Sequence, residues 1–171
     1  MKSSAEQRAR RIKAVVFDVD GVLTDGGVIL GPDGEWKRFN VQDGHGFDLA
    51  RRAGLKTALL TGRSSAAVRQ RARELKSVLM EGVKDKDAAF KRMARRLGVS
   101  AGEICYVGDD LVDLPAMKQS GLPVAVANAV PEVKASAAWV TSRRGGDGAA
   151  REVLEFVIKA KGLWKKVLRA V

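Results

Sequence analysis

Residues 14–25 read Ala14-Val15-Val16-Phe17-Asp18-Val19-Asp20-Gly21-Val22-Leu23-Thr24-Asp25, an apolar run that turns abruptly acidic. A run this short, rich in β-branched residues and closed by Asp and Gly, reads as a buried strand over 14–18 leading into a loop. Two later stretches repeat the form. Residues 56–60 run into Thr61-Gly62-Arg63, and residues 104–107 run into Gly108-Asp109-Asp110-Leu111-Val112-Asp113. Residues 77–80, 124–126 and 139–141 complete the strand candidates, while 64–75, 86–97, 111–119 and 148–161 carry a helical period. Strands alternating with helices predict an α/β fold, a Rossmann-like parallel sheet flanked by helices.

Ligands of such sheets bind beyond the carboxyl ends of the strands. Folding would therefore gather Asp18, Asp20, Asp109 and Asp113 in one crevice. Carboxylates so crowded raise one another's pKa unless a cation holds them. A hard, oxygen-loving ion such as Mg²⁺ suits them, because it keeps coordination positions for water and a substrate phosphate. Thr61, with the amides of Gly62 and Arg63 opening a helix, offers a hydroxyl and a helix N-terminus to an anion. The loop Gly82-Val83-Lys84-Asp85-Lys86 adds two lysines, either of which could balance phosphate charge.

One segment breaks the alternation. Residues 27–40 place two short strands around Gly31-Pro32-Asp33-Gly34, a strong turn signal, and predict a projecting β-hairpin. Its exposed edges call for a cover or a partner.

The chain has 171 residues, 46% hydrophobic and 30% charged, which fits one soluble domain over 1–171. No apolar run is long enough to span a bilayer, and the charged start carries no secretory pattern, so no membrane insertion is expected. The single cysteine, Cys105, sits in an apolar strand candidate as a structural thiol, in keeping with a reducing cytoplasm. The net charge is +11, and most of it lies at the ends: +4 in the basic N-terminal extension 1–13 and +5 in the basic tail 159–171. Such ends read as solvated segments that serve solubility or assembly. The alternative from another class is a nucleic-acid-binding or regulatory protein on the same α/β fold, which steep salt dependence would reveal. No aromatic-rich RNA-reading motif is present, so no nucleic-acid partner is expected. Trp139 reads as core, Trp36 as an interface residue, and Trp164 among lysines as a residue that covers a neighbouring subunit. His45, the only histidine, is not expected to bind a metal that prefers oxygen.

The runs 18–25, 61–63 and 108–113, with a loop lysine between the last two, resemble in this order the four motifs of the haloacid dehalogenase superfamily. The resemblance implies a Mg²⁺-dependent phosphatase. In it Asp18 is the nucleophile and Asp20 the general acid and base. Thr61 and Lys86, rather than Lys84, hold the phosphoryl group. Asp18, Asp109 and the Asp20 backbone carbonyl bind the metal, with Asp110 and Asp113 in support.

Most members insert a cap domain after the first or second motif, but neither residues 21–60 nor residues 64–86 can hold one. That absence, the hairpin, Phe39–Gly46 (FNVQDGHG) and residues 145–152 (GGDGAARE) resemble the capless 3-deoxy-D-manno-octulosonate 8-phosphate phosphatases. This relation implies a phosphorylated sugar acid as substrate. Its contacts would fall at Asp20, Asn40, Val41, Gln42, Asp43, Gly44, Thr61, Gly62, Arg63, Arg71 and Lys86. It also implies a homotetramer whose hairpins or tails complete neighbouring sites. Asp48 stands where some members have an arginine near the substrate. Relatives acting on nine-carbon sugar acid 9-phosphates tend to have Thr-Gly-Glu at the second motif, so Arg63 favours the eight-carbon ester.

Overall fold

The computed structural model describes residues 4–32 and 34–169. Met1 to Ser3 of the basic extension, Asp33 of the hairpin turn, and Ala170 and Val171 of the tail lie outside the described residues. The opening run becomes β1 (Ala14–Phe17), buried at every position. It sits in the middle of one six-stranded sheet with β4 (Lys56–Leu60), β5 (Val78–Met80), β6 (Ile104–Gly108), β7 (Leu122–Ala125) and β8 (Trp139–Val140). The order is β5-β4-β1-β6-β7-β8, and every pairing is parallel. A strand covered on both faces has no wet side, which is why these runs are continuously apolar rather than alternating.

Register does the functional positioning. Phe17 pairs with Leu59 on one side and Val107 on the other. The residues just past those levels are Asp18, Thr61 and Asp109, so three motifs far apart in sequence meet at one end of the sheet. The chain leaves β1 for β4 on one side and reaches β6 on the other, so this end is also the crevice where strand order reverses.

The hairpin is β2 (Ile29–Gly31) and β3 (Gly34–Trp36), a separate antiparallel pair. Among the described residues, the chain between β1 and β4 holds only this hairpin and α2 (Val41–Arg52), and between β4 and β5 only α3 (Ala66–Glu74). Neither connection contains a cap. Helix α4 (Lys86–Leu97) begins on Asp85, whose side chain accepts from the amides of Asp87 and Ala88, and stops at Gly98 in a left-handed cap. The expected helix over 111–119 divides into a 3₁₀ turn (Leu111–Asp113) and α5 (Leu114–Gln119), with Pro115 in the first turn of α5 where its missing N–H costs nothing. Helices α6 (Pro131–Ser136) and α7 (Ala149–Ala160) follow, and α7 lies against α2.

The described residues of both ends form short helices that bury a few apolar side chains. Within the N-terminal extension, α1 (Ala5–Ala9) starts with a Ser4–Gln7 capping box, and Ala9 and Ile12 are fully buried. In the tail, α8 (Trp164–Leu168) folds back on its own α7: Val167 is buried, and Lys159 Nζ lies 4.6 Å from the centre of the Trp164 ring. Trp164 and Val167 thus pack on the chain's own last long helix, while Leu168 stays exposed. Trp139 is half-buried rather than core, stacked 4.4 Å from Phe156 at the sheet edge. Trp36 is 63% exposed on the hairpin.

Candidate active site

A cavity of about 220 Å³ opens at the carboxyl end of β1, β4 and β6. Its wall includes Asp18, Asp20, Thr61, Gly62, Arg63, Lys86, Asp109 and Asp110, and Val83, Lys84 and Val112 complete it. Every phosphoryl-handling residue expected from the strand ends is therefore in one place. Lys84 is at the exposed rim, whereas Lys86 is buried at the floor.

The floor is a charged cluster. Lys86 Nζ lies 3.0 Å from Asp18 Oδ1 and 2.6 Å from Asp113 Oδ1. Asp113 Oδ1 also accepts from the Tyr106 hydroxyl at 2.7 Å, and its Oδ2 accepts from the amides of Asp109 and Asp110 at 3.0 and 3.3 Å. Both oxygens of Asp113 are thus committed to protein donors. Its position after the strand marks it as acidic, but only the fold reveals that it organises Lys86 and the Asp109 loop.

Burial raises the Asp18 carboxyl to about 7, aided by the Asp113 charge and opposed by Lys86. Burial likewise raises Asp109 to about 8, with the charges of Asp18 and Asp113 adding to it. Burial works to neutralise Lys86, but Asp18 and Asp113 outweigh it and hold the ammonium charged beyond its usual range.

These carboxylates fit a hard divalent cation. Oxygens of Asp18, Asp109 and Asp113 lie within 4.8 Å of one another, and Asp109 Oδ1 is buried without a hydrogen-bond partner among the described residues. An orphaned buried carboxylate oxygen is costly, and a bound cation removes that cost. Since Asp113 is already satisfied, Asp18 and Asp109 are the side chains with capacity to ligate.

Glycine makes the loop geometry possible. Gly21 has φ +87°, and a Cβ there would stand 2.0 Å from Asp109 Oδ2. A Cβ on Gly145 would stand 1.8 Å from the Gly21 carbonyl oxygen. Asn128 joins the two loops, donating from Nδ2 to the Gly21 carbonyl at 2.9 Å and accepting from the Gly145 amide at 2.6 Å. Sequence reading did not single out Asn128, and nothing in its local pattern marks it.

The Thr61 loop departs from expectation in one respect. Helix α3 starts at Ala66, so the Gly62 and Arg63 amides belong to a preceding turn, and the Arg63 amide donates to Thr61 Oγ1 at 3.3 Å. Residues 64 and 65 remain outside the helix because Ser65, with extended φ/ψ, is the N-cap residue.

Residues 40–44 and Arg71 do not line the cavity. Asn40 caps α2, its side chain accepting from the amides of Gln42 and Asp43 at 2.7 and 3.2 Å. Asp43 is buried and accepts from the amides of Gly148 and Arg151, tying α2 to the start of α7. Arg71 donates to the Asn40 carbonyl at 2.9 Å and lies 5.3 Å from the centre of the Phe39 ring. Gly44 lets it approach, since a Cβ there would meet the guanidinium at 2.7 Å. Val41 and Gln42 are exposed, as are His45 and Arg51, while Asp48 is half-buried and pairs with Arg51 at 2.5 Å.

Comparison with known proteins agrees with this layout. The haloacid dehalogenase-like hydrolase family matches residues 77–153. A 3-deoxy-D-manno-octulosonate 8-phosphate phosphatase from Salmonella typhi is 41% identical over 157 residues, covering 91% of this chain and 84% of that one. The crystal structure of a phosphatase of the same name from Moraxella catarrhalis, in complex with magnesium, phosphate and KDO, superposes with a TM-score of 0.93 at 38% identity. That match covers 97% of both chains. A cobalt-bound deoxy-D-mannose-octulosonate 8-phosphate phosphatase from Haemophilus influenzae gives 0.89 at 39% identity, covering 91% of this chain and 92% of the other. The chain belongs to the haloacid dehalogenase-like hydrolases, on the capless branch that holds the 3-deoxy-D-manno-octulosonate 8-phosphate phosphatases.

Proposed function

We propose that this protein hydrolyses 3-deoxy-D-manno-octulosonate 8-phosphate to the free sugar acid and phosphate. The observation that carries the reading is the convergence of Asp18, Asp20, Thr61, Lys86 and Asp109 on one small cavity. Its counterpart is the identity with phosphatases of that ester along nearly the whole chain.

The chemistry divides into two displacements at phosphorus. Asp18 attacks the phosphorus, the P–O bond to the sugar breaks, and Asp20 gives a proton to the departing oxygen. Water then attacks the phosphorylated Asp18, Asp20 takes its proton, and phosphate leaves with the carboxylate regenerated. Lys86 and Thr61 hold the equatorial oxygens, where charge spreads in the transition state. Asp18, Asp109 and the Asp20 carbonyl would hold Mg²⁺, which when bound would neutralise charge between the anionic nucleophile and the anionic ester. Arg63 at the rim is a cation for the sugar acid's carboxylate. Gly62 shares that wall, whereas Asn40, Asp43 and Arg71 are committed to protein partners.

The assembly is a homotetramer joined through its hairpins. Ile29, Leu30 and Trp36 are 58%, 80% and 63% exposed, an apolar surface that association would cover. Among the described residues no helix is long and apolar enough to cross a membrane. The fully buried, free Cys105 suits action in a reducing cytoplasm.

Phosphate release with Mg²⁺ tests the reading against a panel holding the eight-carbon ester, a nine-carbon sugar acid 9-phosphate, simple phosphosugars and nucleotides. Preference for the eight-carbon ester, lost in Asp18→Asn, is expected. Preference for the nine-carbon ester would reassign the substrate, and no Asp18-dependent release would remove the enzymatic reading.

A further inference from the structure

Glu35 and Lys37 lie on the hairpin, yet their charged ends reach the active site of their own chain. Lys37 Nζ forms a short ion pair with Asp20 Oδ1 and a second, at 3.2 Å, with Glu35 Oε1. Glu35 Oε2 accepts from Arg63 Nη2 at 2.5 Å. Four charges of alternating sign thus run from Asp20 to the rim. The Lys37 side chain is 0% exposed, although Trp36 and Arg38 on either side of it are exposed. A lysine withdrawn from water needs partners to offset its desolvation, and here it has two carboxylates.

The two oxygens of Asp20 differ. Oδ1 is held by Lys37, whereas Oδ2 is buried and has no hydrogen-bond partner among the described residues. We propose that Lys37 is a positioning residue for proton transfer: it fixes Asp20 by Oδ1 so that Oδ2 faces the leaving oxygen and, later, the attacking water. Glu35 is the tether that keeps Lys37 in place. The inference rests on the acid–base role given to Asp20 above. It also gives the hairpin a duty toward its own active site, separate from any contact with other copies.

The test compares two esters in wild type, Asp20→Asn, Lys37→Met and Lys37→Arg. A sugar alkoxide leaves only if protonated, whereas p-nitrophenolate leaves unaided, so the first displacement needs Asp20 with one ester and not with the other. On the sugar ester, Lys37→Met is expected to lose about 100-fold in kcat, the scale of a misplaced catalytic group. Its KM should stay within about threefold, since ground-state binding is untouched. On p-nitrophenyl phosphate, rapid mixing should show a burst of about one equivalent of p-nitrophenol and then slow turnover, because water attack still requires Asp20. Asp20→Asn should show the same pattern more strongly, and Lys37→Arg should recover part of the loss. Equal losses on both esters without a burst, or no loss, overturn the inference while leaving Asp20 in its role. Should Lys37→Met fail to fold, Glu35→Gln, which also releases Arg63, must show the same split in kcat in milder form; its absence is equally decisive against the inference. Failure of the phosphatase reading looks different, since wild type itself would then release nothing from either ester.

Discussion

Asp113 Oδ1 and Lys86 Nζ meet 2.6 Å apart beneath the catalytic cavity, with almost no solvent reaching either side chain. Asp113 receives four donors on two oxygens: Lys86 and Tyr106 on one, the amides of Asp109 and Asp110 on the other. An asparagine there turns a donor toward a donor whichever way its amide faces, and leaves Lys86 leaning on Asp18 alone. Asp113→Asn should cost about 3–5 kcal/mol of stability, as for a broken buried pair. Urea unfolding measures that loss, and kcat should fall with it.

Mg²⁺ should stabilise the protein more as pH rises. Asp18 and Asp109 are raised to about 7 and about 8 from an ordinary 3.8, so the fold without a cation binds more protons than the unfolded chain between those values. Stability in chelator therefore falls as pH rises through that window. The cation favours the ionised carboxylates and offsets the loss. Melting in chelator and in Mg²⁺ at about pH 5.5 and about pH 8 should show the larger Mg²⁺-induced rise at the higher pH. A rise independent of pH would contradict the assigned ligands.

Gly145→Ala should damage the site from outside it. Its methyl group would lie 1.8 Å from the Gly21 carbonyl oxygen, so the Gly21 loop or the 145–146 loop must move. Overpacking of this kind costs about 1–3 kcal/mol, and displacement of Gly21 disturbs Asp109, which it touches. Gly102→Ala, whose Cβ meets nothing within 4 Å, is the control and should leave melting and kcat unchanged. Equal behaviour of the two variants would refute the account.

Association through the hairpins predicts that Leu30→Glu combined with Trp36→Glu yields smaller species in sedimentation, with the far-UV circular dichroism of the wild type. Both side chains are exposed in the single chain, so burying no charge there keeps the fold intact. A variant that sediments like wild type would place the interface elsewhere.

Much of this was legible in the sequence because strand ends are punctuated by chemistry. Asp18, Thr61 and Asp109 each follow an apolar run, and parallel register then leaves them few places to go. Residues whose function depends on a remote partner were not legible. Asn40 and Asp43 sit in a motif that suggests substrate contact, but their side chains close helix α2 and the start of α7, a pairing across about a hundred residues that no local period signals. Glu35 and Lys37 read as ordinary charges on an exposed hairpin, and only the hairpin's path over the sheet end turns them inward. The short helices α1, α6 and α8 went unread, since five or six residues carry too little periodicity to announce a helix.

The central place of β1 also governs how the protein is made. The Asp18 amide donates to the Val107 carbonyl at 3.0 Å, and β1 has β6 as one of its two neighbours. A ribosome must therefore extend the chain through β6 before the backbone at Asp18 is anchored on both sides. Until then the incomplete sheet exposes an apolar strand edge, but no finished phosphoryl-transfer centre. Such long-range pairing slows folding, and it ties the onset of catalysis to the docking of β6 beside β1 in the life of each new chain.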